Sequence, residues 1–258
     1  MKIGIPKESP VNEARVALTP QNVMDLSNRG VSFTVECGAG TAAGFSDQSY
    51  VEAGAEMSES SEYIYQISDI VLQVNLTGAA FEQAAAFAKQ GQLIISLMDP
   101  LGKADKFALM ADKGVTTVAM ELIPRISRAQ SMDVLSSMAT IAGYKAVVVA
   151  ASASERIYPM MMTAAGNLSP ARVFIMGAGV AGLQAAATAK RMGAVVEAYD
   201  VRPAARDQII SVGAKPIELE LEAETTEDHG GYAKQTGEYF LRRQRELMGE
   251  VLSEQDIV

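Results

Sequence analysis

The sequence predicts an α/β protein with two doubly wound parallel-sheet domains that are joined by a long helix, the second domain being incomplete. Short runs of β-branched residues alternate with Ala-rich helical patterns, and this alternation is typical of parallel sheets that are covered on both faces. A long apolar segment separates two such series, and the second series opens with a strand, a glycine-rich turn and a helix. These observations divide the chain into a first domain (residues 1–133), a connecting helix and linker (134–165) and a second domain (166–258).

The first domain begins with a short strand and continues with alternating helices and strands. Thr19 and Pro20 predict the start of its first helix, because threonine caps helices and proline suits their first turn. Gly30 then ends that helix, and the Ala-rich residues 79–89 predict a later one. The predicted strands lie at residues 2–5, 31–36, 69–74, 93–98 and 115–120.

Residues 134–155 carry few polar side chains, so the sequence predicts one long helix that packs between two halves. In the second domain, residues 223–235 are polar and predict an exposed loop. The last three residues, "DIV", are typical of the start of a further strand, whereas a nucleotide domain of this kind has about six. The chain is therefore expected to be truncated or to be one part of a longer one. The predicted strands lie at residues 171–176, 194–200 and 216–221, and the helices at 180–192, 203–211 and 238–254.

Composition excludes several classes of function. The net charge of −9 argues against nucleic acid or an anionic membrane surface as the main partner. The single cysteine, Cys37, excludes an internal disulfide framework and favours a reducing compartment, and the single histidine excludes a multi-histidine metal site. The longest apolar run, residues 146–151, is far shorter than the ~18 residues of a spanning helix. The sequence thus predicts a soluble chain, which could still be the peripheral part of a membrane assembly.

The turn that opens the second domain carries a dinucleotide-binding motif. Gly177, Gly179 and Gly182 have G-x-G-x-x-G spacing, follow an apolar strand and open an Ala-rich helix, which is the context that the motif requires. The first glycine permits a tight turn, the second lets a pyrophosphate approach, and the third lets the helix pack closely on the sheet. The N-terminus of the helix offers N–H groups to phosphates. A Rossmann-like nucleotide domain is therefore predicted.

Asp200 ends the next predicted strand, where a carboxylate can bind both ribose hydroxyls and repel a 2′-phosphate. This position favours NAD(H) over NADP(H), although Arg202 nearby weakens the preference. The alternative is a glycine-rich contact between helix and sheet with Asp200 as a capping residue.

A second polar segment, "PRISRAQSMD" at residues 124–133, stands in an Ala- and Val-rich part of the chain. Gln130 offers the donor and acceptor that a carboxamide needs, and Arg125 can hold a phosphate or polarise a carbonyl. Taken alone, the segment is better explained as a solvated connection between elements.

With these residues together, the chain resembles the alanine dehydrogenase/nicotinamide nucleotide transhydrogenase family. Within it, the motifs are most similar to the NAD(H)-binding part of the proton-translocating transhydrogenases. The resemblance covers essentially the whole chain, and "RISRAQSMD" and "GGYAK" are its most specific segments. The stretches that carry it are "IPKES", "RVALTP", "MELIPRISRAQSMDVLSS", "AGYKAV", "PMMMTAAG", "GAGVAGLQAAATAKRMGAVVEAYDVR" and "GGYAK".

The resemblance implies roles for individual residues. Near the nicotinamide, its ribose or the phosphates it places Arg125, Gln130, Asp133 and Ser136, of which the first three are the candidate catalytic residues. At the pyrophosphate it places Ala178, Gly179 and Val180, and at the adenosine ribose Asp200, Val201 and Arg202. Gly231 and Tyr232 belong to an expected mobile loop that closes over the nucleotide, the alternative for Tyr232 being an exposed aromatic residue.

Two chemistries in this family differ in their need for a proton. Reductive amination of a keto acid needs a general acid or base, and the relatives that perform it carry Lys and His where this chain has Asn75 and Met98. The only histidine, His229, lies beside the expected mobile loop, and Arg15 is explained either by a carboxylate substrate or by a surface salt bridge. Direct hydride transfer between two nicotinamide rings needs only close approach and exclusion of water.

The resemblance therefore implies the NAD(H)-binding component of a proton-translocating NAD(P)⁺ transhydrogenase. Its expected partners are an NADP(H)-binding domain, a membrane domain that moves protons, and a second copy of the chain. It is expected at the cytoplasmic face of a bacterial inner membrane. The alternatives are an alanine dehydrogenase-like oxidoreductase and a non-catalytic NAD-binding fragment.

Overall fold

The structure is a computed structural model that describes residues 1–10, 12–101, 104–219 and 238–258. The chain divides into two compact units, Met1–Val134 and Leu135–Val258. Each unit is built around its own parallel sheet. The predicted α/β fold with two parallel sheets is confirmed.

The N-terminal unit contains a six-stranded sheet with the order β3-β2-β1-β4-β5-β6, in which every neighbouring pair is parallel. β2 and β3 lie on one side of β1, and β4, β5 and β6 lie on its other side. The strand order therefore reverses between β1 and β4. Such a switch point leaves a crevice outside the carboxyl ends of the strands. The strands are β1 (Lys2–Ile5), β2 (Ser32–Glu36), β3 (Glu56–Ser58), β4 (Ile70–Asn75), β5 (Leu93–Leu97) and β6 (Thr116–Ala119).

Helices connect these strands, and the first helix begins where the sequence predicts a cap. The Thr19 hydroxyl accepts a hydrogen bond from the Asn22 N–H, and Pro20 is the first residue of α1. The core of the sheet is apolar, since Ile5, Val71 and Ile94 are fully buried on three neighbouring strands. The helices are α1 (Pro20–Ser27), α2 (Asp47–Glu52), α3 (Ser61–Ile67), α4 (Ala79–Phe87) and α5 (Ala104–Asp112).

The C-terminal unit contains a parallel sheet with the order β11-β10-β9 and a separate hairpin of β7 and β8. Ile257 forms a parallel bridge with Val173 of β9, so a fourth strand position begins there, as "DIV" predicted. The strands are β7 (Met161–Thr163), β8 (Gly166–Leu168), β9 (Arg172–Met176), β10 (Val195–Tyr199) and β11 (Lys215–Pro216). The helices are α6 (Val134–Ala153), α7 (Val180–Arg191), α8 (Ala205–Ser211) and α9 (Glu238–Leu252).

The long helix α6 is less buried than the sequence suggests, because only Gly143 and Val147 among its residues are buried. By length and composition it is the one helix in the described part of the chain that is apolar enough to cross a membrane. A single helix of this kind is weak evidence for a membrane span, since core helices of soluble proteins have the same composition.

The third strand of the second sheet differs from its prediction. The period-two pattern predicted a strand over residues 216–221, but β11 covers Lys215 and Pro216 only. The Ile217 N–H still donates to the Ala198 carbonyl (2.8 Å), and the strand conformation ends there. Residues 220 and 221 and the predicted loop at 223–235 lie outside the described part of the chain.

Candidate nucleotide-binding site

The turn between β9 and α7 takes its shape from two glycines. Gly177 has φ of +95°, a conformation that favours glycine, and its N–H donates to the Tyr199 carbonyl (2.8 Å) at the end of β10. A Cβ on Gly182 would lie 1.8 Å from the Gly177 carbonyl oxygen, so no other residue fits there without movement of the backbone. The turn is therefore tight and α7 packs directly against it.

The second glycine of the motif leaves open space beside the start of α7. A Cβ on Gly179 would meet no atom of the described chain within 4 Å, so the fold itself does not require glycine at this position. No side chain caps α7, which begins at Val180, whereas the preceding Ala178 is buried. Backbone N–H groups beside open space suit a phosphate, so these residues fit the pyrophosphate of a dinucleotide.

Asp200 lies directly beside this turn. Its carboxylate accepts hydrogen bonds from the Ala178 N–H (2.7 Å) and from the Arg202 N–H (2.9 Å). The Arg202 guanidinium donates to both carboxylate oxygens, through Nε at 2.9 Å and Nη2 at 3.0 Å. The carboxylate is 8% exposed and the Arg202 side chain 23% exposed. The structure thus brings Ala178, Asp200 and Arg202 together, while Val201 packs in a small core with Tyr199 and Met248.

Burial opposes ionisation of the Asp200 carboxyl group, but the hydrogen bonds and charge of Arg202 and the Ala178 N–H outweigh it. The pKa of Asp200 is therefore lowered. A carboxylate that stays ionised at neutral pH can accept hydrogen bonds from ribose hydroxyls.

The polar segment at residues 124–133 folds as a short 3₁₀-helix, Ser127–Met132, in front of α6. Ala129 is the buried residue of this helix, whereas Gln130 and Arg125 are exposed. The Arg125 Nε lies 4.0 Å from the Asp133 carboxylate. The segment therefore combines one buried contact with polar side chains that face solvent.

Ser136 lies three residues beyond this segment, in the first turn of α6. Its carbonyl accepts a hydrogen bond from the Thr140 hydroxyl (3.0 Å), and its side chain is half-buried. Ser136 belongs to the C-terminal unit, whereas Arg125, Gln130 and Asp133 belong to the N-terminal unit.

A carboxylate that the sequence analysis missed, Glu8, lies at the carboxyl end of β4 in the N-terminal sheet. Glu8 accepts hydrogen bonds from the Val74 N–H (2.6 Å) and the Asn75 N–H (3.1 Å) at the carboxyl end of β4. Burial raises the pKa of Glu8, although these two hydrogen bonds oppose the shift. The signal that could have revealed it was a carboxylate three residues after the first strand, where ligands of doubly wound sheets bind.

Arg15 forms an ion pair with a neighbouring carboxylate. Its guanidinium donates through Nε (2.8 Å) and Nη2 (2.7 Å) to the two carboxylate oxygens of Glu13. The hydrogen bond from Arg15 lowers the pKa of Glu13. Arg15 is therefore engaged in an ion pair within the chain.

Met98 and Asn75, the positions at which the resemblance implied His and Lys in relatives that reduce keto acids, carry no proton-transfer group. Met98 is 2% exposed, and its N–H donates to the Glu121 carboxylate (2.8 Å), another residue that the sequence analysis missed. The Asn75 side-chain oxygen accepts from the Thr77 hydroxyl (2.8 Å). The Met98 side chain is thus buried, and the Asn75 amide is hydrogen-bonded within the chain.

Two predicted site residues, Gly231 and Tyr232, lie outside the described residues, as does His229. Among the residues that the structure does describe, no group of three or more His, Cys, Asp or Glu side chains could hold a metal ion. The described candidate residues thus form one group around the turn at Gly177 and a second group around Gln130.

Two family models match the chain. "Alanine dehydrogenase/PNT, N-terminal domain" matches residues 4–142, and "Alanine dehydrogenase/PNT, C-terminal domain" matches residues 146–258. The chain belongs to this family. The family resemblance that the sequence motifs indicated is confirmed.

Individual relatives resemble the chain to different degrees. The NAD(P) transhydrogenase subunit alpha of Cereibacter sphaeroides is 44% identical over 100% of this chain and 49% of that subunit. The alanine dehydrogenase of Mycobacterium tuberculosis is 30% identical over 78% of this chain and 54% of that enzyme. A crystal structure of transhydrogenase from Sinorhizobium meliloti has 44% identity and a TM-score of 0.85 over 100% of this chain and 68% of that one. The chain thus spans about half the length of these two curated relatives.

Proposed function

We propose that this chain is the NAD(H)-binding component of a proton-translocating NAD(P)⁺ transhydrogenase. Membership in the family supports binding of a nicotinamide nucleotide, and the higher identity to the transhydrogenase alpha subunit favours that branch. In this proposal NAD(H) binds to the C-terminal unit at the turn around Gly177. NADP(H) binds to a partner domain, because the sequence contains one dinucleotide motif.

The observation that carries the proposal is the chemistry of Asn75 and Met98. Reduction of a keto acid requires a group that transfers a proton near the carbonyl. An amide and a buried thioether cannot do so at neutral pH. Hydride transfer between two nicotinamide rings needs no proton donor, so these two side chains are compatible with it.

The residues of the polar segment would position the reacting ring. A bound nicotinamide nucleotide supplies the hydride chemistry itself. Gln130 offers both a donor and an acceptor to a carboxamide, and Arg125 offers a cation to a phosphate or carbonyl oxygen. Asp133, 4.0 Å from the Arg125 guanidinium, balances that charge. These groups would bind and orient the nicotinamide ring, and none of them needs to exchange a proton.

Partners of three kinds belong to the proposal: an NADP(H)-binding domain, a membrane domain that moves protons, and a second copy of this chain. The complex would lie at the cytoplasmic face of a bacterial inner membrane. Support for a homodimer comes from apolar side chains of the C-terminal unit that face solvent, since such surfaces mark interfaces. On or beside the β7–β8 hairpin and on α6 they are Met160, Met161, Met162, Leu168, Leu135, Ile141, Tyr144 and Val149.

Nucleotide binding is tested with the chain as it stands. The sequence has no tryptophan, so NADH fluorescence can be followed with little protein background. We expect saturable binding of NADH in the micromolar to millimolar range. An absence of binding in this range would contradict the proposal.

Hydride transfer is tested by mixing the chain with an NADP(H)-binding partner domain and following reduction of an NAD analogue by NADPH. The Gln130→Ala variant should slow this reaction by about tenfold or more, because ring orientation is lost. Its stability should change by less than about 0.5 kcal/mol, since Gln130 is exposed. Oxidation of alanine or reduction of pyruvate by the chain alone would favour the alanine dehydrogenase alternative.

A further inference from the structure

One buried glycine brings the helix α6 into contact with the first turn of α7. A Cβ on Gly143 would lie 2.1 Å from the carbonyl oxygen of Ala181, which is the second residue of α7. The hydrogen atom that stands in place of this Cβ therefore points towards that oxygen, as in the Cα–H···O contacts that recur where two helices pack closely. The backbone of α6 thus contacts the turn of α7 that directly follows Gly179.

From this contact the two helices run into the same apolar core. Val147, one turn further along α6, is buried in one cluster with Ala185 and Ala186 of α7. Ala151, a further turn along α6, packs against this cluster as well. The earlier residues of α6 therefore extend on the side where α7 begins, which is the side of the glycine-rich turn.

Ser136 lies on the same face of α6 as Gly143. The two residues are seven positions apart, which is close to two helical turns of 3.6 residues and about 10 Å along the helix axis. The Ser136 side chain is half-buried, whereas its neighbours Leu135 and Ser137 are exposed. Ser136 is one of the residues that the family resemblance places near the nicotinamide half of the nucleotide. A single helix therefore carries this residue and the contact with α7.

We propose that Gly143 is a positioning residue for the nicotinamide half of the bound nucleotide. In the proposed function, the open space beside Gly179 takes the pyrophosphate, and the turn that borders this space is the one that α6 contacts. Because α6 is one continuous helix, the contact at Gly143 fixes how far Ser136 lies from the pyrophosphate. This inference rests on the proposed nucleotide function of the C-terminal unit.

Gly143→Ala should affect the two halves of the nucleotide differently. Gly182 holds α7 close to the Gly177 carbonyl, so α6 is the helix that moves when a methyl group is added between them. ADP has the adenosine and two phosphates but no nicotinamide riboside, and its affinity should stay within about threefold of wild type. NADH should bind about tenfold more weakly or worse, because its nicotinamide half is displaced from its contacts. Hydride transfer at saturating nucleotide should also slow by about tenfold or more, since a displacement of about 1 Å is enough for such a loss.

The test titrates NADH and ADP separately into the wild-type chain and each variant by isothermal titration calorimetry. Val147→Ala is the matched control, because it removes a buried side chain one turn away and leaves the contact at Gly143 intact. It should lower stability but keep the ratio of the two affinities within about threefold of wild type. If Gly143→Ala does not fold by circular dichroism, Thr140→Pro takes its place. Proline at this exposed position interrupts α6 between Ser136 and the contact, and the same selective loss of NADH affinity is expected.

The outcomes separate the inference from the proposed function. If the wild-type chain binds no NADH, the proposed function fails and the inference fails with it. If it binds NADH, but Gly143→Ala weakens NADH and ADP equally or changes neither, the inference is wrong and the proposed function stands. A selective loss of NADH affinity in Val147→Ala would also overturn the inference, because any disturbance of α6 would then have this effect.

Discussion

Gly182 and Gly179 stand three residues apart in the same motif, but the structure gives them different roles. Gly182 is required by the fold, because a Cβ there would meet the Gly177 carbonyl oxygen. Gly179 is not, because a Cβ there would meet open space. We therefore expect Gly182→Ala to lower the free energy of unfolding by about 1–3 kcal/mol or more. Urea unfolding followed by circular dichroism measures this loss.

The matched change, Gly179→Ala, should leave the free energy of unfolding nearly unchanged and weaken NADH binding. The added methyl would occupy the space that we assign to the pyrophosphate. Equal losses of stability in the two variants would contradict the distinction. Normal NADH binding by Gly179→Ala would count against a pyrophosphate site at this turn.

At the scale of elements, α6 and α7 approach each other closely at Gly143. A Cβ on Gly143 of α6 would lie 2.1 Å from the Ala181 carbonyl oxygen of α7. The backbone of one helix thus contacts the backbone of the other, and only glycine permits it. Gly143→Ala should lower the free energy of unfolding by about 1–3 kcal/mol, although alanine is the better helix former. Differential scanning calorimetry would record a lower Tm.

Gly249 of α9 is the control for this prediction. It too is a helical glycine, but a Cβ there would have no neighbour within 4 Å in the described chain. Gly249→Ala should therefore raise stability by up to about 1 kcal/mol through helix propensity alone. A stabilising effect of both substitutions would show that α6 and α7 are not in close contact.

A carboxylate in the middle of β10 links neighbouring parts of the second sheet. Glu197, 7% exposed, accepts hydrogen bonds from Lys215 of β11 (2.8 Å) and Gln255 near the C-terminus (2.8 Å), and Arg172 of β9 lies at 3.4 Å. Burial opposes its ionisation, but these donors together lower its pKa. Because the folded pKa lies below the unfolded value, Glu197 stabilises the fold at neutral pH. This contribution is lost as the pH falls through the lowered pKa of Glu197.

Glu197→Gln should consequently lower the free energy of unfolding by about 1–2 kcal/mol at pH 7. The loss should be smaller at pH 3, because the stabilisation by this carboxylate is lost as the pH falls towards and through its lowered pKa. Glu56→Gln, which removes an exposed ion pair with Lys2, should change stability by less than about 0.5 kcal/mol at either pH. Urea unfolding at the two pH values checks both variants, and a pH-independent loss in Glu197→Gln would refute the electrostatic role.

At the scale of the whole molecule, the proposed homodimer depends on the apolar surface of the C-terminal unit. Met162 on the β7–β8 hairpin is 80% exposed. Met162→Lys should weaken self-association by about tenfold or more if this surface is buried between two copies. Sedimentation velocity over a range of concentrations measures the change. Leu101→Lys, at a 78% exposed site in the N-terminal unit, is the matched control and should have no effect.

Much of the fold was predictable because its signals are local. Thr19 and Pro20 marked the start of α1, and β-branched runs marked β2, β4 and β5 to within one or two residues. The period-two pattern after Lys215 failed, since alternation alone does not show whether a neighbouring strand is available for pairing. The exposure of α6 was also missed, because an apolar composition does not reveal which faces are covered.

The sequence by itself determined the α/β class, the glycine-rich turn, Asp200 at the end of β10 and the family, because each follows from residues that are close along the chain. The tertiary structure decided what those residues contact. It placed Glu8 on the N–H groups of β4 across 66 residues and the Ala178 N–H on Asp200 across 22. The physical reason is that hydrogen bonds and packing depend on distance in space, which short-range sequence patterns do not specify.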